Sequence, residues 1–291
     1  MCFVNNHQIG QKTLLDTIVI VYLFFGKFHD LYDYCVNITK DVYVGYKDFL
    51  LKKPIEDITV NTRLKGIKTF FNFCIELGYM KPFKMDLITV TKKVKEIYTD
   101  EELSILTRKP NLRKCKFTEY RNWVITMYLL ATGNRASTVR NIKIKDVDLD
   151  NNVVILRKTK NHKQQLFPIS PFLRPILQEY LSKRGGEPED YLFCNIYNEQ
   201  FTLYGFSETI RKYNLSRGVR KTSTHLYRHT FARKVIQQGA DIYDVKTLLG
   251  HKTLYMSLEY IDEINPNINI NYPKYDPLQS LNHQKKAIKG I

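Results

Sequence analysis

Apolar residues recur along this chain with two different periods, and the change of period divides it. Up to about residue 83 the spacing is helical. Residues 12–26 and 28–37 ("FHDLYDYCVN") read as two helices, and "DVYVGYKDFLLKK" at 41–53 as a third that stops at Pro54. The clearest stripe lies in "VNTRLKGIKTFFNFCIELG" (60–78), where Leu64, Ile67, Phe70, Phe71, Cys74 and Ile75 share one helical face. Arg63, Lys65, Lys68 and Asn72 lie mostly off that face, and Gly78 supplies the turn that ends it. The pattern predicts a compact all-α unit over residues 1–83. Residues 84–96 ("KMDLITVTKKVKE") carry no helical stripe. Lys84, Lys92, Lys93 and Lys95 outweigh Asp86 and Glu96 there, which predicts an extended basic linker.

A second unit is predicted over 97–262. Thr99 with Glu102 three positions later is the pattern of a reciprocal helix N-cap. "TEYRNWVITMYLLATG" (118–133) is apolar nearly all round, so it reads as a central core helix closed by Gly133. "NNVVILRKTKNHKQQLFPI" (151–169) changes period and reads as strand, polar turn and strand, a β-hairpin. Helical spacing resumes at 171–183, 203–215, 224–238, 241–249 and 253–261. The fold class is therefore mostly α with a small β-hairpin, in two domains. A tail, 263–291, follows. "INPNINI" breaks helix at Pro266, and Leu278, Leu281 and Ile288 could anchor a short helix on a neighbouring protomer.

Charge changes this picture. Lys plus Arg number 45 against 29 Asp plus Glu, a formal charge of +16, which favours a polyanionic partner and nucleic acid first. Cys2, Cys35, Cys74, Cys115 and Cys194 are odd in number and form no CxxC pair, as expected of free thiols in a reducing, cytoplasmic setting. The most apolar run, "IVIVYLFF" at 18–25, is far short of the roughly 20 residues that cross a bilayer. It also lacks the flanks of a signal peptide, so no membrane partner is expected.

Four clusters could carry chemistry. Arg135 stands in "ATGNRAST", directly after the core helix, where it is either a surface residue or one aimed into a cleft. The hairpin turn "RKTKNHK" holds Arg157, Lys158, Lys160, His162 and Lys163, a solvated turn or one that enters a nucleic-acid groove. In "HLYRH", His225 and Arg228 share a helical face and could grip one anion, with His229 toward the core. His225 and His229 also have metal-ligand spacing, but no neighbouring carboxylate completes a set, so no metal or other cofactor is expected. Finally, Gly250 and His251 precede Tyr260, which comes nine positions after His251, with Tyr255 as its rival.

The order and spacing of these groups resemble the tyrosine recombinase, or phage integrase, family. The resemblance rests on "TGNR", "KTKNHKQQLFPI", "HLYRHTFA", "LLGH" and "YI" at 260–261, and covers residues 97–262. It extends more loosely to the N-terminal unit, which is similar to the family's core-binding domain. It implies a catalytic set of Arg135, Lys160, His225, Arg228, His251 and Tyr260, with Lys158 as the alternative lysine. Two positions depart from the family pattern: Thr138 where an acidic residue is usual, and Tyr227 where Leu is usual. The implied enzyme is a site-specific DNA recombinase of integrase or transposase type, working through a 3′-phosphotyrosine without metal or ATP. Its two domains would clamp double-stranded DNA at inverted-repeat core sites, as a monomer free in solution and a homo-tetramer on DNA. Arg63, Lys65, Lys68, Lys158, His162 and Lys163 would contact the duplex, as would most basic residues of 108–121. The helical unit starts by about residue 12, so no separate arm-binding domain is expected before it. A type IB topoisomerase and a non-catalytic regulator of the same fold share parts of this pattern. The short two-domain layout weighs against the first, and retention of all six catalytic-type residues against the second.

Overall fold

The computed structural model describes residues 38–90, 96–157 and 164–262, with side chains through residue 258. The helices expected at 12–26 and 28–37, most of the hairpin turn and the tail 263–291 lie outside the described residues. The chain divides between Lys93 and Val94 into two units.

The first unit pairs α1 (Lys40–Leu51) with α2 (Asp57–Glu76). Tyr43, Tyr46 and Leu50 of α1 meet Val60, Leu64, Ile67, Phe71 and Cys74 of α2, the i, i+3, i+4 stripe of an amphipathic helix. Gly78, at φ 73°, takes the left-handed turn that follows the helix.

The segment from residue 84 differs from the expected linker. It forms no helix or strand over 84–90, and residues 84–88 are fastened to the first unit. The Asn61 carboxamide forms both hydrogen bonds of a clamp on Ile88: Nδ2 donates to its carbonyl at 2.8 Å and Oδ1 accepts its N–H at 3.0 Å. Tyr43 Oη donates to Asp86 O at 3.0 Å, and Lys68 Nζ donates to Met85 O at 3.1 Å. Met85 is buried, and Leu87 and Ile88 pack against the same core. A boundary after residue 83 therefore falls too early. The lysine run marks residues 92–95, whereas the apolar residues before it complete the two-helix core.

In the second unit, α3 (Asp100–Thr107) begins with the reciprocal cap of Thr99 and Glu102. It leads to α4 (Phe117–Thr132), which is buried on all sides, with Val124, Ile125, Tyr128 and Leu129 at the centre. Arg121 corrects one expectation. It is only 4 % exposed, and its Nη1 donates to Cys194 O at 2.7 Å, so it does not reach a phosphate. A short α5 (Ala136–Val139) and a 3₁₀ turn follow. The antiparallel sheet is β1 (Val147–Asp148), β2 (Val153–Leu156) and β3 (Gln165–Pro168), in that spatial order. Leu156 pairs with Gln165 at the turn end of the hairpin. The remaining helices are α6 (Leu173–Arg184), α7 (Leu203–Ser216), α8 (Thr224–Gln237), α9 (Ile242–Leu249) and α10 (Tyr255–Asp262). Helices α6, α7 and α8 all pack on α4, which makes it the axis of the unit.

Asn61→Ala removes both arms of the clamp on Ile88. Urea unfolding of this variant is expected to show a loss of about 1–3 kcal/mol, the cost of stranding part-buried backbone groups. Amide exchange at Ile88 should accelerate with it. Unchanged exchange there would show that the segment is held by its apolar contacts alone.

Candidate active site

The site grows from the end of α4. Gly133 closes that helix in the left-handed conformation at φ 60°. A Cβ there would lie 2.4 Å from Phe231 Cδ1 and 3.1 Å from Leu249 Cδ2. Glycine is thus needed both for the turn and for the close approach of α8 and α9. That approach brings the last carbonyls of α4 and α9 to one place, and Arg228 of α8 bridges them. Its Nη1 donates to Gly133 O at 2.9 Å and its Nη2 to Leu249 O at 2.8 Å. Arg228 is 5 % exposed, so a nearly desolvated cation rests on the negative ends of two helices.

Beside it opens a cavity of about 220 Å³, lined by Asn134, Arg135, Thr138, Arg228, Gly250 and His251 among others. Two guanidinium groups and an imidazole line it, and among the described residues no carboxylate does. Thr138, one turn after Arg135, puts a neutral hydroxyl where the family pattern carries an acid. The cavity therefore attracts anions. Arg135 takes the extended N-cap position of α5.

Gly250, also left-handed at φ 60°, ends α9 and turns the chain so that His251 lies buried at the cavity wall. His251 Nδ1 sits 2.8 Å from Ser257 Oγ, which fixes the plane of the ring. Gln165 of β3 ties the sheet to this turn, with Nε2 donating to Thr247 O at 3.1 Å. His225 lies one turn before Arg228 on the exposed side of α8. Partial burial, then the charges of Arg228 and Arg135, push its pKa below the ordinary histidine value. The three groups thus feel one another, and His225 is a neutral imidazole at neutral pH.

Tyr260 falls within α10, but its side chain lies outside the described residues, as do Lys158, Lys160, His162 and Lys163. Tyr255 begins the same helix and is exposed. Leu156, Gln164 and Gln165 line the cavity, so the basic turn leaves and re-enters the described structure at its rim. Arg157, at the start of that turn, pairs with the buried Asp146 carboxylate at 2.5 Å. In the first unit Lys65 is exposed, whereas Arg63 and Lys68 are half-buried. Lys68, expected at the DNA, gives its ammonium to Met85 O. His229 is half-buried on α8, and among the described residues no three His, Cys, Asp or Glu side chains are placed to hold a metal ion.

The second departure from the family pattern has a physical setting of its own. Tyr227 is fully buried behind Arg228, and its Oη donates to Asn214 Oδ1 at 2.6 Å. Asn214 Nδ2 in turn donates to Tyr98 Oη at 2.9 Å and to Lys221 O at 2.8 Å. Burial pushes the Tyr98 phenol up to about 12, and that of Tyr227 also rises, so both remain neutral links. They join α7, α8 and the segment 96–99 that leads into α3. Asn134, Gln165 and Ser257 are site residues that periodicity and motif spacing do not single out, because each is placed by tertiary contacts.

Residues 95–265 match the model of the phage integrase family. The tyrosine recombinase XerC of Staphylococcus epidermidis is 28 % identical over 258 residues, covering 84 % of this chain and 82 % of that protein. XerC of Chlamydia caviae is 28 % identical over 230 residues, covering 76 % and 73 %. Among solved structures, the XerA recombinase aligns with a TM-score of 0.52 at 23 % identity over 92 % of each chain. The Tn1549 transposon integrase, in complex with transposon right end DNA, aligns with a TM-score of 0.69 at 18 % identity over 87 % of this chain and 90 % of that one. The family match spans more than half of the sequence, and the chain belongs to the phage integrase family, as an enzyme of the tyrosine site-specific recombinase class.

The depressed His225 pKa gives a direct check on the convergence of charges. Titration of its ring by NMR is expected to show a midpoint below about 6.5, the unperturbed value. Arg135→Gln should raise that midpoint, because it removes a repelling charge. Protonation lags in the folded state, so this residue's contribution to stability falls as pH drops through the unfolded value. A midpoint unmoved by Arg135→Gln would place the two residues too far apart to share an anion.

Proposed function

We propose that this chain cleaves and rejoins double-stranded DNA at a specific site, with Tyr260 as the nucleophile of a 3′-phosphotyrosine intermediate. The observation that carries this reading is the cavity that places Arg135, Arg228 and His251 together with no opposing carboxylate among the described residues. Such a lining suits a phosphodiester whose non-bridging oxygens gain charge as the pentacoordinate state forms. Two guanidinium forks supply fixed donors at those oxygens, so the charge is met without a metal ion.

In the proposed reaction the Tyr260 oxygen forms a bond to phosphorus, and the bond from phosphorus to the 5′ oxygen breaks. The phenolic proton passes to a neutral imidazole, for which the lowered pKa fits His225. Lys160 protonates the departing 5′ oxygen. The rim position of its hairpin supports this role, with Lys158 as the alternative. A phenol pKa near 10 makes the Tyr260 phenolate a good leaving group when a 5′-hydroxyl attacks the phosphorus of the phosphotyrosine. The bond energy stays in the covalent intermediate, so rejoining needs no ATP.

On this reading both units grip the duplex at inverted-repeat core sites, with residues 1–83 and the segment 84–88 fastened to them as the core-binding domain, the lysine run of 92–95 along the DNA and 97–262 as the catalytic domain. Lys65, Arg63, Lys158, His162 and Lys163 would fix register through phosphates. The surplus of basic residues supports a polyanionic partner. The solved Tn1549 integrase and lambda integrase complexes, one with transposon end DNA and one with a core site, share the fold and support an integrase or transposase role. Monomers would assemble into a tetramer on DNA, with the tail 263–291 meeting a neighbour, in the cytoplasm where the DNA lies. No described helix is long and apolar enough to cross a membrane.

The test is to incubate the protein with DNA flanking its own coding region and map covalent junctions. Wild type is expected to leave a 3′-phosphotyrosine. Tyr260→Phe should bind the same DNA within about threefold and form none, while Tyr255→Phe keeps the activity. An adduct that survives Tyr260→Phe and disappears in Tyr255→Phe moves the nucleophile to the start of α10.

A further inference from the structure

We infer that Asn134 is a further ligand of the anion in this cavity, its carboxamide NH₂ donating to a non-bridging oxygen while its carbonyl accepts the Tyr128 phenol. The identity of that anion as a DNA phosphate rests on the proposed function; the role of the residue rests on geometry.

Asn134 stands between the Gly133 cap and Arg135. It is 6 % exposed, and it lines the cavity beside Arg135, Arg228 and His251. A buried amide at a cavity wall needs partners for two donors and one acceptor. Its backbone N–H reaches Thr132 Oγ1 at 3.3 Å, which holds the residue in place. Its side chain touches the Tyr128 phenol, with Nδ2 donating to Oη at a long 3.3 Å.

That contact leaves a proton without a place. Tyr128 is fully buried on α4, and burial raises its pKa, so the phenol keeps its O–H. With the NH₂ turned to the phenol oxygen, both groups are donors. Among the described residues Tyr128 has no second side-chain partner to take the phenolic proton. A half-turn of the carboxamide exchanges NH₂ and C=O with almost no change of shape. Oδ1 then accepts the phenol, and the NH₂ is freed toward the cavity.

A bound anion favours that half-turn, because the freed NH₂ gains a charge-assisted bond to it. The amide is neutral, so it adds a donor without adding repulsion to the two guanidinium groups. Asn134 would touch the substrate directly, which makes it a catalytic residue in addition to the expected set.

The test uses the full-length protein and inorganic phosphate as the probe, read by the side-chain amide resonance of Asn134 in ¹⁵N spectra. Saturating phosphate is expected to shift that resonance. Asn134→Ala should weaken phosphate binding by about 10- to 100-fold, the range for a hydrogen bond to a charged group. Asn134→Asp is the sharper variant. It keeps the shape and still accepts the Tyr128 phenol, so a purely structural role would survive it, whereas a carboxylate beside the anion should weaken binding at least as much as Ala. If Asn134→Ala fails to fold, the wild-type shift and the Asp variant decide. An amide resonance unmoved by phosphate, or wild-type affinity in Asn134→Asp, overturns the inference. A phosphate-induced shift in a protein that forms no covalent adduct with any DNA would sink the proposed function and leave the Asn134 assignment standing.

Discussion

The second unit is organised around one contact, the guanidinium of Arg228 spanning the carbonyl ends of α4 and α9. A cation this deeply buried costs several kcal/mol in lost hydration unless it is met by charge or dipoles. Here it is met by the terminal carbonyls of two helices, whose partial negative charge is already fixed in direction. The bridge also explains its surroundings. Gly133 must lack a side chain so that Phe231 and Leu249 can close on it, and Gly250 must turn left so that α9 ends where the second carbonyl is needed. His251 and Asn134 then follow as the residues next to those two glycines.

The same contact sets the electrostatics of the cavity. Arg228 is held by two carbonyls, and it lines with Arg135 a space that has no carboxylate in its lining among the described residues. An acidic residue at position 138 would partly neutralise them; Thr138 does not. Partial burial, then the charges of Arg228 and Arg135, lower the pKa of His225, which favours a neutral imidazole over a third cation beside them. Such a site is built for an anion before the anion arrives, which is the arrangement that stabilises a charged transition state without reorganisation at the moment of reaction.

Much of this was legible in the sequence, and the reasons differ by residue. The stripe through Leu64, Ile67, Phe71 and Cys74 marked α2 because one buried face imposes a 3.6-residue period. Thr99 and Glu102, Gly133 and Gly250 marked helix ends because orphaned backbone groups and left-handed turns demand those residue types. Arg135, His225, Arg228 and His251 were recognisable by family spacing. The fastening of 84–88 was not legible, because Met85, Leu87 and Ile88 follow no period when they pack outside any regular element against two helices. Strand β1, two residues long, is too short to show alternation. Arg121 reads as a surface cation by type, and only its burial against Cys194 O and the Phe201 ring shows otherwise. Asn134 is silent in the sequence because its meaning depends on Tyr128, a neighbour brought near by the end of α4.

The central claim is that Arg228 acts as a fork locked by two carbonyls and not as a point charge. Arg228→Lys tests it most directly, because an ammonium keeps the charge but cannot span Gly133 O and Leu249 O while facing the anion. Single-turnover DNA cleavage by this variant should be compared with that of Arg228→Ala, with DNA affinity measured in parallel. Lys is expected to fail nearly as badly as Ala, with cleavage lower by about 10²–10³ in both, the scale of one lost oxyanion donor. A lysine variant that cleaves at close to the wild-type rate would contradict it, and would reduce Arg228 to a source of positive charge.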